Sequence, residues 1–147
     1  MRILLLVSLG AFVAGSAASA PVNNDDLKWG PAPPGLPKGA QATVLSGNPE
    51  QEGMFTIRLK FPKGYTVQPH HHATDELVTV IQGRIALGMG DSFNRARMKT
   101  LSQGGYALAE AKMNHYVTSP TGGIVQITSH GPFQIIYANP KDDPRKK

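Results

Sequence analysis

The sequence predicts one all-β domain of antiparallel strands, preceded by a proline-rich N-terminal arm. Its 147 residues fit a single compact unit. With 16 Gly, 12 Pro and only 17% charged residues, the composition is typical of a turn-rich β protein. Short apolar runs also recur between turn residues, and nine or ten strands at such spacing favour a sandwich or a barrel.

The first twenty residues, 1–20, match a secretory signal peptide. Arg2 precedes an apolar run from residue 3 to residue 13, and small residues follow up to Ala20. We expect cleavage after Ala18 or Ala20 and a periplasmic or secreted mature protein that is not bound to a membrane. An uncleaved anchor is the alternative, but the apolar run is well short of the ~20 residues that cross a bilayer.

Residues 21–40 are predicted to form an extended arm. Between Trp29 and Lys38 the prolines at four positions exclude a helix or a central strand. Trp29 is the only tryptophan, and a large amphipathic ring in an arm favours an anchoring contact with the body of the domain.

The barrel is expected to span residues 41–140, followed by a basic tail at 141–147. Its clearest strand is the alternation from Phe55 to Phe61, which places four apolar side chains on one face. The segment Asp91 to Leu101 is predicted as either a helix or a loop. The other predicted strands are Ala42 to Ser46, Tyr65 to His72, Glu76 to Ile81, Arg84 to Met89, Tyr106 to Leu108, His115 to Thr118, Ile124 to Ser129 and Phe133 to Tyr137.

The charge distribution does not favour a nucleic-acid partner. The net charge is +5, but the tail holds Lys141, Arg145, Lys146 and Lys147, and no basic patch interleaved with aromatic residues appears in the domain. Cysteine is absent, so any metal must be held by nitrogen and oxygen ligands. A homodimer is left open, because barrels with such an arm often pair.

Four of the five histidines lie where strands are predicted, together with one glutamate: His70, His71, His72, Glu76 and His115. Alternate residues of a strand share a face, so His70 and His72 converge while His71 points away. Glu76 opens the next strand after a short connection and presents its carboxylate to the same place. Two imidazoles and a carboxylate suit a divalent metal with open coordination positions.

The spacing of this segment resembles the first motif of the cupin superfamily. Its fixed positions are occupied by Gly64, His70, His72, Glu76 and Gly83. The resemblance implies a single-domain, cupin-type antiparallel jelly-roll barrel.

The second cupin motif is kept in spacing and altered in its turn. It begins at Gly104, and its ligand position falls on His115. Glu110 stands at the usual Pro, Lys112 at the second Gly and Ser119 at the usual Asn.

By this resemblance, His70, His72, Glu76 and His115 are the metal ligands. The proline-rich arm, the unit Gly131-Pro132-Phe133 and the ending from Tyr137 to Arg145 also resemble small exported single-domain cupins of undetermined role.

The ligand set suits one divalent transition metal: iron, manganese, nickel, copper or zinc. Strand alternation places Val78, Val80, Met113 and Val117 on the inner face, so we expect an apolar pocket for a small molecule that chelates through oxygen. Glu110 is a candidate general acid/base at the mouth of this site, or a solvated loop carboxylate.

The first functional hypothesis is therefore an exported metal-dependent enzyme with dioxygenase-like or Lewis-acid chemistry on a small oxygenated molecule. The alternative is a non-catalytic module that binds a metal or a metabolite. A third hypothesis is an interaction protein that uses the barrel as a scaffold.

Overall fold

The computed structural model describes residues 21–147, and the predicted signal peptide lies outside them. Export therefore stays a prediction. Helical structure in the described chain is limited to three-residue 3-10 turns, none of them long enough to cross a membrane. The ten strands are β1 (Gly30–Pro31), β2 (Gln41–Ser46), β3 (Gly53–Phe61), β4 (Tyr65–His71), β5 (Glu76–Met89), β6 (Lys99–Ser102), β7 (Tyr106–Ala109), β8 (His115–Ser119), β9 (Gly123–Gly131) and β10 (Ile136–Tyr137).

The strands form two antiparallel layers that curl into a half-barrel, which confirms the predicted all-β antiparallel fold. The order is β1-β2-β3-β9-β5-β7 in one layer and β6-β5-β8-β4-β10 in the other. Strand β5 belongs to both layers. Its first half pairs with β7 and β9, and its second half pairs with β6 and β8.

The two strands predicted at Glu76 to Ile81 and Arg84 to Met89 imply a turn between them, and that turn is not formed. The chain does not reverse at Gln82 and Gly83; it continues as β5 with a bulge between Val80 and Gln82. Gly83 has a φ of +77°, which only glycine adopts without strain. A bulge bends a strand, and here the bend carries β5 from one layer into the other.

The segment Asp91 to Leu101 is a loop that leads into a strand, not a helix. Asn94 caps a single 3-10 turn at Arg95–Arg97 by accepting a hydrogen bond from the amide of Ala96 at 2.9 Å. The chain then enters β6, which sequence reasoning missed. Its residues lie at the edge of the layer and are mostly exposed, so they lack the apolar alternation that marks a half-buried strand.

The core lies between the two layers, as the alternation of β3 predicts. Phe55, Ile57, Leu59 and Phe61 are all at most 6% exposed. Burial of each such side chain contributes roughly 1.5–3 kcal/mol to folding. The core is completed by Ala40, Tyr65, Val67, Val78, Val80, Ile85, Val125, Ile127 and Tyr137.

The proline-rich arm is held against the barrel at several points. The Lys60 Nζ lies 5.3 Å from the centre of the Trp29 ring, which confirms the anchoring role predicted for this tryptophan. Strand β1 pairs only with β2 at the sheet edge, where proline is tolerated. The hydroxyl groups of Tyr65 and Tyr137 donate hydrogen bonds to the carbonyls of Pro37 and Gly35.

The basic tail is folded back onto the barrel. Asn139 and Asp143 cap the 3-10 turns Pro140–Asp142 and Pro144–Lys146. The guanidinium of Arg145 donates from Nε and Nη2 to the Asp143 carboxylate at 2.8 Å each, and from Nη2 to the Ile135 carbonyl at 2.9 Å. The tail therefore contributes to the body of the domain.

Candidate metal centre

Three histidines converge between strands β4 and β8. His70 and His115 are directly paired across these strands, and His72 follows the end of β4. One ring nitrogen of each lies within 4.8 Å of the other two, and the residues are 4%, 3% and 1% exposed for His70, His72 and His115. Two nitrogens bound about 2.1 Å from one ion are at most about 4.2 Å apart, so only a slight contraction is needed.

Each of these histidines is oriented by a backbone carbonyl. The Nδ1 atom lies at hydrogen-bonding distance from the oxygen, so the tautomer that satisfies the bond carries its proton on Nδ1 and leaves the Nε2 lone pair free. The Nε2 atoms of His72 and His115 are buried and have no hydrogen-bond partner. The accepting carbonyls belong to Gln68, Gln134 and Met113, at 2.7, 2.7 and 3.2 Å.

Glu76 brings a carboxylate to the same place from the start of β5. Its Oε2 lies 3.3 Å from the Nε2 of His115 and 3.7 Å from that of His72. Burial raises the pKa of Glu76, but the adjacent His115 and the other neighbouring imidazoles outweigh burial and bring the pKa to about 2. The carboxylate is therefore ionised, and the structure brings the four residues of the predicted ligand set together.

Burial keeps the imidazoles of His70 and His72 in the neutral form that binds metals. Burial, together with His115 and His72, lowers the pKa of His70 to about 3. Burial is also the main cause that lowers the pKa of His72. Neutral imidazoles do not have to lose a proton before they bind a metal at neutral pH.

The segment after β9 supports His72. The Phe133 ring stacks on the His72 ring with centroids 4.4 Å apart, and the Gln134 carbonyl orients the same imidazole. The expected strand from Phe133 to Tyr137 is therefore shortened to β10, since Phe133 donates its amide to the Pro49 carbonyl at 2.7 Å.

The altered turn of the second motif contains Lys112 where the motif usually has its second glycine. Lys112 has a φ of 65°, the only positive φ of a non-glycine residue in the described chain. Its amide donates to the His72 carbonyl at 2.8 Å. The turn thus links the approach to His115 with the backbone of His72, although it lacks the usual glycine.

His71 lies outside the cluster, as predicted. Its Nδ1 is 2.8 Å from the Oδ1 of Asn114, and that amide donates to Asp91 at 2.8 Å. Asp75, the neighbour of Glu76, is also outside and accepts a hydrogen bond from the Ala111 amide at 2.8 Å.

A cavity of about 870 Å³ leads to the four residues. Its walls are mostly apolar and include the predicted Val78 and Val117. Val80 is fully buried in the core, whereas Met113 is 50% exposed and lines a separate outer groove. The prediction for Met113 was wrong because β8 begins at His115, so strand alternation does not extend back to it.

Glu110 is not brought to the metal centre. It is exposed and lines the outer groove with Arg97, Lys99 and Met113. The cavity that holds the histidines has other residues at its rim. A general acid/base role for Glu110 stays a prediction, and its carboxylate lies away from the ligand set.

Sequence reasoning missed Arg145, which the structure places in the cavity lining. A signal was present in the tail. Asn139-Pro140 and Asp143-Pro144 are turn-initiating pairs, and they indicate a folded segment and not a solvated basic end.

The sequence matches one protein family over residues 18–136, described as a domain of unknown function (DUF4437). No curated protein sequence matches the chain.

Solved structures with a similar fold include several cupins and enzymes. One is the polyketide cyclase RemF from Streptomyces resistomycificus, with a TM-score of 0.69 at 15% identity, covering 86% of this chain and 90% of that chain. A putative acetylacetone dioxygenase from Methylibium petroleiphilum PM1 has a TM-score of 0.63 at 20% identity, covering 88% of each chain. An RmlC-like cupin from Shewanella frigidimarina NCIMB 400 has a TM-score of 0.57 at 20% identity and covers 74% of this chain and 87% of that chain. At these identities the similarity concerns the fold, which is that of the cupins.

Proposed function

Because the chain belongs to the DUF4437 family and has the cupin fold, we propose that it is an exported mononuclear metalloenzyme acting on a small oxygenated molecule. His70, His72, Glu76 and His115 would hold one divalent transition metal. The observation that carries the proposal is the pair of buried Nε2 atoms, on His72 and His115, that have no partner while Nδ1 of each ring is held by a carbonyl. Buried polar atoms without partners are costly, and a metal ion would satisfy them.

The donor set defines the chemistry of the site. Three neutral nitrogens and one carboxylate suit iron, manganese, nickel, copper or zinc, and leave coordination positions for a ligand. A metal bound there would supply Lewis-acid or redox chemistry. The ionised Glu76 would balance part of the positive charge, and the backbone carbonyls would keep each imidazole aimed at the ion.

The cavity supports a small-molecule ligand. Its apolar walls exclude water from most of a bound molecule, while the ligand set lies at a polar patch inside it. Two solved structures with this fold are named as a polyketide cyclase and a putative acetylacetone dioxygenase, and acetylacetone is a diketone. We therefore propose carbonyl, enol or catechol compounds as the first substrates to test.

Metal analysis tests the metal centre directly. The mature protein, isolated without a histidine tag and without added metal, should contain about one equivalent of a transition metal. His72→Ala should lose most of it, since this change removes a ligand. His71→Ala is the matched control and should retain the metal, because His71 bonds to Asn114 instead. Equal metal content in the two variants would contradict the assignment.

A non-catalytic binding module is the second candidate. It is favoured because Glu110 lies outside the cavity. Apart from Glu76, the charged groups that line the cavity are Lys28, Glu50 and Arg145, which the arm, the loop after β2 and the tail contribute. Oxygen uptake by the iron-loaded protein with a catechol, a diketone or a keto acid would support the dioxygenase reading. Tight binding of the same compounds without consumption would support the binding module.

A further inference from the structure

Arg145 is a fixed hydrogen-bond donor at the rim of the cavity. Its guanidinium bonds to both carboxylate oxygens of Asp143 and to the Ile135 carbonyl through Nε and Nη2. The Nη1 group has no hydrogen-bond partner among residues 21–147. The side chain is 42% exposed, yet it contributes to the cavity lining. Arg145 therefore lines the cavity and keeps an N–H group that no residue of the described chain accepts.

The contacts that hold Arg145 also define how it would bind a ligand. Asp143 is only 7% exposed and is itself fixed by the turn that it caps, so the guanidinium is held in one orientation. A donor that is already ordered loses little entropy when a ligand binds. Because Asp143 balances its charge, Arg145 would recognise a ligand through directed N–H groups, for which an anionic oxygen is the strongest acceptor.

The backbone of the segment after β9 orients both Arg145 and His72. The Gln134 carbonyl orients His72, and the next carbonyl along the chain, that of Ile135, accepts from Arg145. Adjacent carbonyls of one segment therefore orient the imidazole and the guanidinium, and both side chains line the cavity. Phe133 and Ile135 line the cavity beside them and make this wall apolar.

The size of the cavity accommodates more than a minimal chelator. About 870 Å³ is at the upper end of the ~300–1,000 Å³ that holds drug-sized ligands. A molecule as small as acetate or oxalate would leave most of the apolar wall uncovered.

We propose that the cavity binds an elongated, largely apolar molecule with an oxygen chelating group at one end and an acidic group at the other, which is bound by the Arg145 Nη1. The part of the proposal that concerns the chelating end depends on the proposed function, because it requires the metal centre. The acidic end depends only on Arg145 and the cavity, so it is tested without metal.

Two fluorescent probes separate the acidic group from the apolar body. 8-Anilinonaphthalene-1-sulfonate carries a sulfonate, and N-phenyl-1-naphthylamine has the same aromatic body without it. Dissociation constants for both are measured on the metal-free protein. Arg145→Gln should weaken binding of the sulfonate probe about tenfold, by loss of a charged hydrogen bond, and should change binding of the neutral probe less than twofold. Arg145→Lys should give an intermediate loss.

Lys146→Gln is the matched control, since it removes the next cation along the chain, which does not line the cavity. It should leave both probes unaffected. The titrations are repeated with Leu108→Glu, which changes the exposed outer groove. Any binding that this variant removes is assigned to the groove and not to the cavity. A parallel loss of both probes in Arg145→Gln, no loss of either, or an equal effect of Lys146→Gln would overturn the proposal. Metal content is measured separately, so failure of the metal centre is distinguishable from failure of Arg145.

Discussion

Replacing Lys112 by glycine should stabilise the protein, which is unusual for a substitution beside a functional site. Lys112 holds a φ of 65°, a left-handed conformation that costs a residue with a Cβ about 1–2 kcal/mol. Glycine avoids this cost but loses about 0.5–1 kcal/mol more conformational entropy on folding. The Lys112 side chain is exposed, so its removal costs little. The free energy of unfolding should therefore rise by roughly 0.5–1 kcal/mol.

Thermal unfolding of the metal-free protein measures this change. For a chain of this length the gain corresponds to a rise in Tm of about 2–4 °C. Lys112→Ala is the control, because it removes the same side chain and keeps the strain, and it should not raise Tm. Metal content should be unchanged in both variants, since the amide that donates to the His72 carbonyl is retained. If Lys112→Gly is no more stable than Lys112→Ala, the strain assigned to this turn is refuted.

Three further predictions concern packing, acid stability and ligand orientation. A Cβ at Gly88 would collide with the buried ring of Tyr116, so Gly88→Ala should lower the free energy of unfolding by about 1–3 kcal/mol in urea titrations. Gly30→Ala meets no atom within 4 Å, and an equal loss there would contradict this reading. The pKa of His70 is lowered from 6.5 to about 3, so as the pH falls this imidazole is protonated in the unfolded chain before it is protonated in the folded one. The contribution of His70 to the stability of the metal-free protein is therefore fully present above pH 6.5. The free energy of unfolding should fall by about 1 kcal/mol per pH unit between pH 6 and pH 4. The pH dependence of stability should be weaker in His70→Gln. Equal slopes of stability against pH in the two proteins would refute its assignment to His70. Phe133→Leu removes the ring stacked on a ligand and should weaken metal affinity about tenfold in chelator competition; unchanged affinity would show that the carbonyl alone fixes that imidazole.

Sequence reasoning predicted best which residues come together at the candidate metal centre. The spacing of His70 and His72 on one strand fixes their common face, and a short connection returns Glu76 to the same end. His115 came from the spacing of the second motif, and β4 pairs it directly with His70. Local periodicity and a family resemblance are sufficient to predict that these four residues come together.

The errors at Gly83 and Arg145 share a cause, because the position of each residue depends on contacts outside its own segment, whereas the error at Met113 concerns where a strand begins. Gly83 looks like a reversal and instead bends β5 between the layers, as its pairing with Gly123 of β9 shows. By spacing alone, Met113 continues the alternation of β8, but it lies before this strand begins at His115. Arg145 looks like part of a solvated tail until the Ile135 carbonyl accepts its hydrogen bond. Periodicity within a segment carries no information on these partners.

The long strand β5 ties the integrity of the ligand set to that of the whole fold. It hydrogen-bonds to β6, β7, β8 and β9, begins at Glu76 and pairs Met89 with His115 at its far end. The two layers cannot separate unless β5 loses its hydrogen bonds to one of them. The central amides of β5 should therefore exchange with deuterium only through global unfolding. Loss of β5 would therefore displace Glu76 and His115 and unfold the whole domain in the same step.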